Sequence, residues 1–265
     1  MNRKISYITI NINGTVGEQL FQISNLLSIK YKKRNFNKVK IILNKNDNNK
    51  INKMFNNIFK YYEYNEYGFA NIDNIEDIND GEISNIKIKN YKNVFDDDVK
   101  KKLLNIAYNN EDMMYEAYYK YRDILSYFGE NTNDDDMISV DYKDGNEIYY
   151  KTAVKTIVKN NIVIFGDIDE DNKKIFENYN CYYVNNTENK MEDGVILILM
   201  SMFKYNIISN SFESLWASYL SYYENKIIVA PKEIECMGYK NINIYIYIIF
   251  IINICLTIYI FRISR

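Results

Sequence analysis

The chain has no histidine at all among its 265 residues. That removes the Ser-His-Asp triad, the Cys-His pair, histidine general bases and every His-containing zinc site. Three cysteines, Cys181, Cys236 and Cys255, are widely spaced, odd in number and in no CxxC pattern. Neither a disulfide framework nor a metal knuckle is expected from them, and they read as small buried or membrane-facing thiols. Proline occurs once and glycine nine times, so breakers are few. Nor is there a basic surplus: Lys plus Arg total 33 against 35 Asp plus Glu, a net charge of −2. That balance argues against a general nucleic-acid binder.

What is present suffices for a core. The 47% hydrophobic and 15% aromatic fractions exclude a wholly disordered chain. Asn, Ile, Lys and Tyr crowd throughout, as in KVKIILNKNDNNKINKMFNNIFKYYEYNEY. They share A/T-rich codons, so Asn and Lys runs carry little functional weight.

Asn2, Arg3 and Lys4 precede ISYITINI, too short and too β-branched for a signal peptide, which reads as a buried strand. A turn, Asn13-Gly14-Thr15-Val16-Gly17, leads into EQLFQISNLLSIKYKKR, with apolar residues at helical spacing. KVKIIL (38–43) is a second strand, completing a βαβ unit. Residues 44 to about 100 give no assignment, and Lys100 to Phe128 reads as mainly helical. The loop Asn131 to Asp136 separates a first α/β lobe, 1–136, from a second, 137–235. In the second, strands at 137–140, 161–165, 181–184, 207–209 and 226–230 alternate with helical stretches, implying a parallel, doubly wound sheet.

Residues 242–261 are nearly all apolar and uncharged, long enough for a bilayer-crossing helix, with Arg262 and Arg265 following. Asn243, Asn253 and the Ile/Tyr alternation suit a strand pair instead. The protein is therefore expected to be either membrane-associated through a C-terminal anchor or cytoplasmic.

Three places could carry chemistry. Gly14 and Gly17 flank a helix start where free N–H groups favour a phosphate or sugar oxygen, although plain βα connections look the same. Asn210, Ser211 and Ser214 follow a strand at another helix start. There they suit either a diphosphate site or an ordinary serine N-cap with Trp216 in the core. Asp167-Ile168-Asp169 is a DxD after an apolar strand, readable as a metal-bound diphosphate clamp or as acidic helix capping. Asn172 and Asn178 stand where a calcium loop needs Gly and Glu, which excludes an EF-hand. Asp134-Asp135-Asp136 reads as a solvated loop.

Gly14-Thr15-Val16-Gly17-Glu18-Gln19-Leu20-Phe21-Gln22 resembles the opening motif of the alpha-1,2-fucosyltransferases, glycosyltransferase family 11, approximately GRLGNQMFQ. Thr15 and Glu18 replace that family's Arg and Asn. LMSMFKYNIISNSFESLWASYLSYYENKIIVAP resembles the family's LMSxCKHNIISNSTFSWWAAYL…KIVIAP, and NIVIFGDIDEDNKKIF its FIVFSDDIxWCKKNF, with Gly166 in place of Ser. The family's HxRRGDY loop has no counterpart in ISVDYKDG beyond Lys143, Asp144 and Gly145. An arginine fork neutralises a leaving diphosphate better than a lysine point charge, and loss of such a group costs on the order of 10²–10³ in rate.

The resemblance implies a GT-B-like architecture of two Rossmann-type lobes with parallel sheets. It also implies inverting transfer of fucose from GDP-fucose to a galactose-containing glycan, with no metal cofactor required. Gly14, Gly17 and Gln19 would then serve the nucleotide sugar from the first lobe, and Asp167, Asn210, Ser211 and Ser214 from the second. No catalytic base is named by the sequence. The rival readings are an inactive membrane-anchored module binding a glycan or partner, and a metal-dependent transferase using Asp167 and Asp169.

Overall fold

The computed structural model describes residues 6–10, 14–32, 39–43, 82–85, 100–101, 103–104, 110–129, 131–184, 191–231, 244–248 and 259–263. The chain divides into two compact units, Met1–Asn110 and Glu111–Arg265.

In the first unit, strand β1 (Ser6–Ile10), helix α1 (Val16–Lys32) and strand β2 (Val39–Leu43) form the expected βαβ unit. β1 pairs in parallel with β2, Ile8 opposite Ile41. It also pairs in parallel with β3 (Glu82–Asn85), giving the order β2-β1-β3. Val16, Leu20, Phe21 and Ile23 bury one face of α1, the i, i+4, i+7 stripe of an amphipathic helix. The expectation for 44 to about 100 falls largely outside the described residues.

The second unit opens with helix α2 (Glu111–Phe128), which buries Met113, Ala117, Tyr121 and Ile124. Tyr121 stacks edge-on against Phe203 at 5.3 Å, and the Tyr127 hydroxyl donates to the Cys181 carbonyl at 3.2 Å. A 3-10 turn at Asp134–Asp136 leads into β4 (Met137–Asp141). Then follow α3 (Glu147–Thr156), β5 (Asn161–Phe165), the one-turn α4 (Glu170–Lys173) and β6 (Asn180–Val184). α5 (Asp193–Ser201), β7 (Tyr205–Ile207), α6 (Phe212–Leu220) and β8 (Ile227–Ala230) complete the alternation.

Five parallel strands run in the order β6-β5-β4-β7-β8. Helices cover both sheet faces, which is why the strands read as unbroken apolar runs rather than alternating ones. On one face Ile138, Val140, Ile162, Ile164, Ile207 and Val229 pack against Tyr149, Tyr150, Ala153 and Val154 of α3. The opposite face carries Val163 and Phe165, and Phe165 meets Phe203 at 6.0 Å. α5 is apolar all round because α2 and α6 both pack on it.

One expectation is corrected here. The described parts of 242–261 are strands β9 (Ile244–Ile248) and β10 (Tyr259–Ile263), paired antiparallel, with β10 added antiparallel to β8. Among the described residues no helix is long and apolar enough to cross a membrane. The Ile/Tyr alternation, rich in strand-forming residues, decided the local structure over the length of the apolar run.

Candidate functional site

β4 is the central one of the five parallel strands, and the chain winds outward from it through β5 and β6 on one side and β7 and β8 on the other. Such a switch point splays the loops beyond the carboxyl ends of β4 and β7, opening a crevice where α/β sheets take ligands. Here that crevice measures about 230 Å³. Lys143, Asp144, Gly145 and Asn146 line it from the β4–α3 loop, Tyr149 and Tyr150 from α3. Ser209 and Asn210 line it from beyond β7, and Pro231 from the end of β8.

The two tyrosines fix these loops. The buried Tyr149 hydroxyl lies 2.7 Å from the Ile208 carbonyl and 2.9 Å from that of Val229, donating to the chain beyond β7 and to β8. Tyr150 donates its hydroxyl to the Asp141 carbonyl at 2.9 Å and accepts the Lys143 N–H at 2.9 Å. Burial, then the nearby Asp141 charge, raise the Tyr150 phenol, so it remains a donor. On the other side of β4, Gly166 has φ +98°, and a Cβ there would come within 2.4 Å of the Tyr142 carbonyl. Only glycine fits at this position.

Asp141 ends β4 and is half-buried. Its Oδ2 accepts the hydroxyls of Ser209 and of Ser211, the latter at 2.9 Å. Ser211 Oγ also accepts the Ser214 N–H at 3.1 Å and lies 2.8 Å from Ser214 Oγ, which makes it the N-cap of α6. Burial is the largest influence on the Asp141 carboxyl and raises it, against the serine hydrogen bonds that lower it.

The sequence-selected residues divide accordingly. Asn210 is exposed and lines the crevice. Ser211 and Ser214 adjoin it but spend their hydroxyls on Asp141 and the helix cap. Asp167 is exposed and is not among the crevice residues. Asp169 caps α4 by accepting the Asn172 N–H at 2.7 Å. Among the described residues no group of three or more His, Cys, Asp or Glu side chains is placed to hold a metal ion.

Gly14, Gly17 and Gln19 belong to the β1–α1 turn of the first unit. Gly17 is buried, and the buried Gln19 amide donates to the Gly14 carbonyl at 2.9 Å, closing the turn on itself. Asp141, Ser209, Tyr149 and Tyr150 were not singled out from sequence. An acidic residue closing the apolar ISVD run, and paired aromatics at a helix start, were the available signals.

No family model matches the chain. Over 89 residues it is 34% identical to the O-antigen biosynthesis glycosyltransferase WbnK of Escherichia coli, covering 32% of this chain and 30% of that protein. The chain thus spans less than a third of the length of that curated relative. Among solved structures, the glycosyl transferase family 9 from Veillonella parvula DSM 2008 aligns at 11% identity and TM-score 0.43, covering 83% of this chain and 79% of that one.

Proposed function

We propose that this chain is a glycosyltransferase whose second unit binds the nucleotide part of a sugar donor in the crevice between β4 and β7. The observation that carries this reading is the position of Asn210. It stands at the mouth of a sheet switch point, within the NIISNS stretch that resembles the alpha-1,2-fucosyltransferases. The similarity to WbnK supports the transferase class. The finer proposal is a GDP-fucose donor, a galactose-containing acceptor and a GT-B-like arrangement, all drawn from the family resemblance.

In this reading the Asn210 amide offers a hydrogen bond to a donor oxygen, and Lys143, a cation lining the crevice, offers a point charge to a phosphate. Single point-charge neutralisation is weaker than a bidentate arginine clamp, so slow transfer is expected. That same feature favours the second reading, a protein that binds nucleotide sugar without turning it over.

Calorimetric titration of the full chain with GDP and with UDP, followed by assay of GDP-fucose hydrolysis and transfer to lactose, tests this. Binding with turnover supports the transferase, and binding alone the second reading. Absence of any nucleotide binding, or GDP affinity unchanged in Asn210→Ala, overturns the site assignment.

A further inference from the structure

We propose that Asp141 is a positioning residue: it holds the β7–α6 turn through Ser209 and Ser211 so that Asn210 faces the crevice. What the crevice takes rests on the reading above, whereas the latch rests on geometry alone. Asp141 is the last residue of the central strand, whose preceding Met137, Ile138, Ser139 and Val140 are all buried, so its backbone is fixed. Both serine hydroxyls converge on one carboxylate oxygen, Oδ2. Residues 209 and 211 are therefore pulled toward β4, and the residue between them is turned outward, where Asn210 is exposed.

Because Ser211 is also the α6 cap, the same oxygen fixes where that helix starts. An apolar residue would avoid the cost of burying a carboxylate. A carboxylate with two hydroxyl donors instead specifies one arrangement of two loops. Oδ2 of Asp141 is engaged by the Ser209 and Ser211 hydroxyls, so its role is to position the turn through the serines.

The test uses the full chain with Asp141→Asn, Asp141→Ala, Ser209→Ala and Asn210→Ala, with GDP as calorimetric probe and hydrogen exchange across residues 209–215. Asp141→Asn keeps an oxygen acceptor and should bind GDP within about threefold of wild type, whereas Asp141→Ala should lose about 10- to 100-fold. Adding Asn210→Ala to Asp141→Ala should then cost little more, since Asn210 is already misplaced. Exchange at 209–215 should quicken in Asp141→Ala and not in Asp141→Asn. If Asp141→Ala does not fold, Ser209→Ala carries the same comparisons.

Unchanged GDP affinity in folded Asp141→Ala, full additivity with Asn210→Ala, or unchanged exchange overturns the latch. Should wild type bind neither GDP nor UDP, the transferase reading fails by itself and exchange alone decides the latch.

Discussion

Thr15 and Glu18 cap each other at the start of α1. The Thr15 N–H donates to Glu18 Oε2 at 2.8 Å, and the Glu18 N–H faces Thr15 Oγ1 at 3.4 Å. This reciprocal pair is a capping box. Thr15→Ala or Glu18→Ala should each destabilise the first unit by about 1 kcal/mol, and the double variant by clearly less than the sum. Urea denaturation followed by circular dichroism measures this. Strict additivity would mean that the two caps are independent.

The same turn shows what the sequence made readable. Apolar, β-branched runs are the signal of strands in a parallel sheet, so β1, β2 and the five parallel strands are legible to within about two residues. β3, with sequence EISN, offers one apolar residue and no pattern to read. The tail misled because length and apolarity satisfy a membrane helix as well as they satisfy paired strands. At the site, Asn210 was legible from its motif. The roles of its neighbours were not, because a serine facing a ligand and a serine capping a helix have the same spacing. Asp141 was hidden because an acid at the end of an apolar strand looks like the first residue of a polar loop.

Gly166 gives a sharper test of backbone geometry. Its φ of +98° and the 2.4 Å approach of the Tyr142 carbonyl leave no room for a side chain. Gly166→Ser should cost about 1–3 kcal/mol from the φ alone, and more from the clash. Thermal unfolding of the variant reads the loss. A melting temperature equal to that of wild type would show that the β5–α4 turn has another accessible conformation.

Tyr149 ties α3 to the chain on both sides of the crevice floor. Tyr149→Phe removes the hydroxyl shared by the Ile208 and Val229 carbonyls; Val229 still accepts the Ile208 N–H at 2.9 Å, and loss of the hydroxyl bond to the Ile208 carbonyl costs about 1–3 kcal/mol. Nucleotide affinity should fall with it, because the segment preceding Asn210 loosens. Equilibrium unfolding and GDP titration on the same preparation separate the two effects. Undiminished stability would mean that the carbonyls are satisfied without the phenol.

Asp141 should make stability depend on pH in the direction opposite to a salt-bridged carboxylate. Burial raises its carboxyl in the folded protein, with the Glu213 charge adding to the rise and the serine hydrogen bonds opposing it. The unfolded chain titrates this group in the usual range, near about 4. Between the unfolded and folded values, the folded state binds a proton that the unfolded state has released. Its stability contribution is therefore fully present below the unfolded value and is lost as pH rises through the folded one. Unfolding free energies of wild type and Asp141→Asn, measured from pH 4 to 8, isolate the effect from the other carboxylates. The difference should move against wild type as pH rises and then level off. A constant difference would mean that Asp141 titrates alike in both states, and a trend favouring wild type would mean that the serine hydroxyls outweigh burial.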